Sequence, residues 1–144
     1  MKISNKMRAS FPARSVNEAL ARTLIAAFAA TVDPTVDELC DVKTAVSEAV
    51  TNCIVHGYRD QLGQVYIAAS LYPDGRLVVR VRDAGCGIPD VKKAMEPLYT
   101  TCESGERAGL GFAVMQELMD KVQVHSVVGR GTTVTLERKL KTKG

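Results

Sequence analysis

The chain reads as an α+β fold, a two-layer α/β sandwich with a mixed, mostly antiparallel sheet and helices on one face. Three observations predict it. Two amphipathic helical stripes follow each other early, over residues 15–30 and 35–57. Two pairs of alternating segments each fold back across a turn, one at Pro73-Asp74-Gly75-Arg76 and one at Gly129-Arg130-Gly131. The strands of each pair are joined directly, with no helix between them, which excludes a doubly wound parallel sheet. A length of 144 residues predicts one domain, 1–144, with room for a real core.

Met1 to Phe11 shows a loose apolar alternation and makes a first strand, which Pro12 ends. Ser15-Val16-Asn17-Glu18 fits a capping box, with Ser15 as N-cap and Glu18 three residues on. Val16, Leu20, Leu24 and Phe28 then recur at helical spacing, to about Ala30. Asp33-Pro34 breaks the chain, and Thr35-Val36-Asp37-Glu38 repeats the capping pattern. Leu39, Val42, Val46, Ala49 and Cys53 form the core stripe of a second helix, and Gly57 reads as the C′ glycine that ends it. Val65, Ile67, Ala69 and Leu71, then Leu77, Val79 and Val81, make a hairpin that delivers Asp83 at a strand end. Phe112, Met115, Leu118 and Met119 mark a helix ending near Lys121, before a last hairpin over 122–128 and 132–140.

Composition limits the function classes. Apolar residues at 46% and charged ones at 24% are ordinary for a soluble globular protein. No run of 18 apolar residues is present, so no membrane span is expected, and no apolar run follows Lys2, Lys6 and Arg8 to make a secretory signal. Cys40, Cys53, Cys86 and Cys102 form no CxxC pair, and neither His56 nor His125 stands at metal-ligand spacing from them. Free thiols and a cytoplasmic protein follow as expectations. The net charge of +3 leans on Lys139, Lys141 and Lys143, read as a solvated tail, and 5% aromatics disfavour direct nucleic-acid binding.

The chemistry concentrates between Asp83 and Gly111. Asp83-Ala84-Gly85-Cys86-Gly87-Ile88-Pro89 opens this stretch and Gly109-Leu110-Gly111-Phe112 closes it. A carboxylate at a strand end can accept the exocyclic amine of a base. Glycine turns let main chain approach a ligand, and a helix start offers free N–H groups to phosphates. Upstream, Glu48, Asn52 and His56 line up at i, i+4, i+8 on one helix face. Two readings of that row stay open. It is a wet face that binds nothing, or Asn52 offers an amide oxygen to Mg²⁺ and Glu48 takes a proton from an attacking hydroxyl or water. The P-loop GxxxxGK[ST] and the dinucleotide motif GxGxxG are both absent.

Three motifs in this order, Glu48-Ala49-Val50-Thr51-Asn52, Asp83-Ala84-Gly85-Cys86-Gly87 and Gly109-Leu110-Gly111, resemble the N, G1 and G2 boxes of the Bergerat (GHKL) ATP-binding fold. With Ser47 to Asn52, His56-Gly57-Tyr58, Arg82-Asp83 and Pro97-Leu98-Tyr99-Thr100-Thr101 added, the chain is similar to the anti-sigma serine kinases over almost its whole length. Ser10–Arg22 and Leu110–Met119 resemble the sporulation branch most, and the general-stress branch is the near alternative. The resemblance implies an ATP-dependent protein serine kinase, using ATP/ADP and Mg²⁺, that inhibits a sigma factor and phosphorylates an anti-anti-sigma protein. It also implies a homodimer. Asp83 would bind the adenine amine over Gly85 and Gly87, Asn52 would hold Mg²⁺, and Glu48 would be the general base. Thr100, Thr101, Arg107, Gly109, Leu110 and Gly111 would form the lid and phosphate contacts, with Arg107 at the γ-phosphate. Arg22 would lie on the surface shared by both protein partners. The chain departs from the pattern at Cys102-Glu103, where Lys-Pro is expected, and at Cys86 inside the first glycine turn.

Overall fold

The computed structural model describes residues 2–59, 61–95 and 111–141. Five strands form one sheet: β1 (Asn5–Pro12), β2 (Gln64–Leu71), β3 (Arg76–Asp83), β4 (Lys121–Val127) and β5 (Gly131–Lys139). Their order is β1-β2-β3-β5-β4, and every pairing among the described residues is antiparallel. Alternation decides which side chains enter the core. Val65, Ile67, Ala69 and Leu71 of β2 are buried, as are Leu77, Val79 and Val81 of β3 and Val134 and Leu136 of β5.

The helices α1 (Asn17–Ala29), α2 (Val36–Asn52) and α4 (Phe112–Leu118) cover that inner face. A one-turn helix, α3 (Val91–Ala94), follows the first glycine turn and was not foreseen from pattern. Ile25, Val42, Val46, Phe112 and Met115 seal the layer, all below 2% exposure. Each such side chain contributes about 1.5–3 kcal/mol through removal from water.

The two capping expectations part company. Thr35 caps α2 with both bonds of the box: the Glu38 N–H donates to Thr35 Oγ1 at 3.1 Å, and the Thr35 N–H donates to Glu38 Oε1 at 2.9 Å. Ser15 does not cap α1. Val16 takes the cap position without a side-chain bond, and Ser15 offers only its carbonyl to the Glu18 N–H. The Glu18 carboxylate is committed elsewhere, to the Ser47 hydroxyl of α2 and to Arg22 Nε at 3.0 Å. A tertiary contact thus displaces a local one.

Gly57 also differs from expectation. It lacks a positive φ, and the helix runs on through a π turn, Cys53–Gly57, closed by the Tyr58 N–H on the Cys53 carbonyl at 2.9 Å. Such single-turn insertions redirect side chains at the end of a helix. Arg59 takes the left-handed conformation instead, at φ 54°.

The sheet's outer face carries exposed Arg8, Arg80 and Arg82, with Arg82 stacked 4.2 Å from the Tyr66 ring centre. Lys139 belongs to β5. The positive charge is therefore spread over a sheet face and is not confined to a tail.

Candidate functional site

Three segments meet at one end of the inner face: the π turn after α2, the loop leaving β3, and the β4–β5 turn. Tyr58 fixes the first to the second. Its hydroxyl accepts the Ala84 N–H at 2.8 Å and donates to the Gln64 carbonyl at 2.5 Å. The Gly57 carbonyl accepts the Cys86 N–H at 2.9 Å, and the Cys86 carbonyl accepts the Gly129 N–H at 2.8 Å. Ile88 N–H donates to Ser126 Oγ at 2.7 Å. The loop is thus held by main chain on both sides.

This closeness explains the glycines. A Cβ on Gly85 would stand 2.2 Å from the Gly57 carbonyl oxygen, and one on Gly57 would stand 2.8 Å from Asp83 Oδ2. Gly131, read from sequence only as part of a hairpin turn, does the same work: its Cβ would lie 2.1 Å from the Asp83 carbonyl oxygen. The hairpin assignment holds, but the turn also walls the site.

Asp83 ends β3 and is 5% exposed. Oδ1 accepts the Gly85 N–H at 2.9 Å. Burial raises its pKa above the ordinary carboxylate value. The Gly85 N–H, the Cys53 thiol, the Thr132 N–H and the Arg82 charge oppose that rise. The carboxylate is therefore a buried acceptor with donors on its protein side.

A cavity of about 260 Å³ opens in front of it. Among the predicted residues, Asn52, Asp83 and Gly87 line it together. Gly85 backs the wall through its contact with Gly57. Glu48 is absent from the lining and lies one helical turn along α2. It faces Gly111, where a Cβ would stand 2.3 Å from Glu48 Oε2. Gly111 precedes α4 in the left-handed region, at φ 69°. Gly111, the described residue of the second glycine motif, is thereby brought against the polar row. Arg22 stands apart on α1, paired with Glu18. Thr100, Thr101, Arg107, Gly109 and Leu110 lie outside the described residues.

Cys53, Arg59 and Thr132 also line the cavity and were given no site role from pattern, while His56, Ile88 and Phe112 line it after being noted only as neighbours of the motif residues. Cys53 and Phe112 sit on apolar stripes and signal only core. Thr132 has one usable signal, its position just past the second hairpin turn.

Residues 11–138 match the model of the histidine kinase-like ATPase domain. The anti-sigma F factor of Caldanaerobacter subterraneus subsp. tengcongensis is 50% identical over 138 residues, covering 96% of each chain. That of Clostridium acetobutylicum is 48% identical over 137 residues, covering 95% of each. The chain belongs to the anti-sigma F factor family. Solved structures agree on the fold. The RsbU and RsbW domains of Rv1364c from Mycobacterium tuberculosis match at TM-score 0.72 and 21% identity, over 98% of this chain and 34% of that one. Full-length ShkA in complex with AMPPNP matches at TM-score 0.62 and 21% identity, over all of this chain and 33% of that one.

In this anti-sigma F family member, no group of three or more His, Cys, Asp or Glu residues suited to a metal occurs among the described residues. A single amide such as Asn52 fits only an ion held mainly by phosphate and water, which is how Mg²⁺ is usually bound. No helix among the described residues is long and apolar enough to cross a membrane.

Proposed function

We propose that this single-domain chain, 1–144, is a cytoplasmic, Mg-ATP-dependent serine kinase. In this reading it binds and inhibits a sporulation-type sigma factor and phosphorylates a serine of that factor's anti-anti-sigma antagonist. The observation that carries the reading is the buried Asp83 carboxylate at the back of a cavity shared with Asn52 and Gly87. Near full-length similarity to anti-sigma F factors supports the same reading.

ATP supplies the phosphoryl group and Mg²⁺ neutralises its charge. The chain's own residues then have distinct tasks. Asp83 accepts the adenine amine, and Gly85 and Gly87 keep main chain close to the base. Asn52 gives the metal its amide oxygen. Glu48 takes the proton of the attacking serine hydroxyl, so the oxygen can bond to phosphorus as the bond to the leaving ADP breaks. Thr100, Thr101, Gly109, Leu110 and Gly111 contact the phosphates, and Arg107 stabilises charge on the transferred group. Arg22 meets the protein partners, and two copies of the chain form the working homodimer.

The deciding experiment measures Mg-ATP binding by wild type and Asp83→Asn, then transfer of labelled γ-phosphate to a candidate anti-anti-sigma protein. Asp83-dependent binding with one phosphoserine per acceptor is expected, and Glu48→Ala is expected to bind ATP without transferring it. Binding without transfer by wild type would leave a nucleotide-gated binding module. Absence of binding would remove the nucleotide reading altogether. Preference for a general-stress sigma factor would move the chain to the other branch.

A further inference from the structure

Ser126 has no task in the phosphoryl transfer set out above, yet three segments cross at its hydroxyl. It lies on β4, on the side of the strand from which Val122 and Val124 pack against the core, and it pairs in register with Thr132 of β5. Its oxygen accepts the Ile88 N–H of the first glycine loop at 2.7 Å. The same oxygen stands 2.8 Å from Thr132 Oγ1 and 3.2 Å from the Gly131 carbonyl oxygen. Thr132 is itself 9% exposed, lines the cavity, and is the register partner of Asp83 where β5 meets β3.

Counting donors gives this cluster a direction. A main-chain N–H can only donate, so Ile88 takes one lone pair of Ser126 Oγ and leaves the serine hydrogen to be given elsewhere. Two acceptors compete for it, and Thr132 Oγ1 at 2.8 Å is nearer than the Gly131 carbonyl at 3.2 Å. Having accepted, the Thr132 hydroxyl keeps its own hydrogen to donate. Hydroxyls joined head to tail polarise one another, which strengthens the last donor in the row. We infer that Ser126 is a positioning residue for base recognition: by holding the Ile88 N–H and donating to Thr132, it sets the Thr132 hydroxyl as a donor into the cavity beside Asp83. A purine edge with an amine and a bare ring nitrogen side by side matches that acceptor and donor, and adenine has such an edge. The inference rests on the nucleotide reading above and adds a residue to it.

The test measures binding of ATP and of 1-deaza-ATP, in which a C–H replaces that ring nitrogen and the amine is kept, by the full chain. Wild type is expected to prefer ATP about three- to tenfold, the effect of one modest hydrogen bond. Ser126→Ala should remove most of that preference, because the Thr132 hydroxyl is then no longer held in one direction. Ser126→Thr keeps a hydroxyl and should retain the preference. Ser126→Cys, close in size but a weak donor, covers the case in which the alanine variant fails to fold, and should narrow the preference too. A merely structural tie to Ile88 would weaken both nucleotides equally. Alanine and cysteine variants that keep the wild-type preference would therefore overturn the inference, as would a wild type that binds ATP without preferring it to 1-deaza-ATP. Lack of ATP binding by wild type would instead overturn the nucleotide reading beneath it.

Discussion

At the scale of single residues, Asp83 carries a conflict between stability and recognition. Its carboxyl is raised in the fold because burial outweighs the donors around it. The folded state therefore holds the proton more tightly than the unfolded state. Any stability tied to that proton is present below the unfolded value of 3.8 and is lost as pH rises through the raised folded value. Asp83→Asn removes the ionisation and its pH dependence. We expect the ligand-free variant to gain stability relative to wild type on going from acid pH to pH 7, while nucleotide binding is lost. Urea unfolding of both proteins at the two pH values measures the difference. A gap that does not change with pH would mean the carboxylate is paired better than its burial implies. The sequence disclosed Asp83 because strand end and glycine turn adjoin in one chain segment. It did not disclose Thr132 or Gly131, whose closeness to Asp83 arises only when β5 pairs with β3.

At the scale of elements, the two early helices test what a capping signature is worth. The same spacing, Ser15 to Glu18 and Thr35 to Glu38, predicts two boxes, and one forms. The difference lies in where the glutamate goes. Glu18 bridges α1 to Ser47 and Arg22, whereas Glu38 stays local and also takes the Lys141 N–H at 2.7 Å. Burial works to raise the Glu38 pKa, but its bonds from Thr35 and Lys141 prevail and lower it. Thr35→Ala should cost about 0.5–2 kcal/mol, whereas Ser15→Ala should sit within measurement error. Thermal unfolding of the pair decides this, and an equal loss in both would mean Ser15 has a role its geometry does not display. The depressed Glu38 pKa has the opposite sign to that of Asp83. Its contribution is present above the unfolded value of 4.5 and is lost as pH falls through the lowered one. Gly57 marks the other limit of pattern. A glycine after a helical stripe signals an end, yet only the approach of Asp83 and Cys86 reveals that small size, not a positive φ, is what the position requires.

At the scale of the whole molecule, hairpins and helical stripes were legible because each is local. Strand order was not. The last strand in sequence, β5, enters between β3 and β4 and so joins the two hairpins into one sheet. Its end is tied to the helical layer as well: Arg138 reaches Asp41 of α2 at 2.9 Å and the Leu118 carbonyl of α4 at 2.5 Å. Pairing that spans so much sequence forms only when most of the chain is in place. A chain ending at Gly129 would leave β3 an open edge, β4 without its partner, and one side of the Asp83 site missing. Such a chain should show no cooperative unfolding transition in urea. Arg138→Met, by contrast, keeps every ladder bond and should fold, losing about 1–3 kcal/mol for the unpaired groups it leaves behind. Cooperative unfolding of the shortened chain would place the folding unit in β1 to β3 with α1 and α2, and would make β5 an addition to a finished core instead of the strand that completes it.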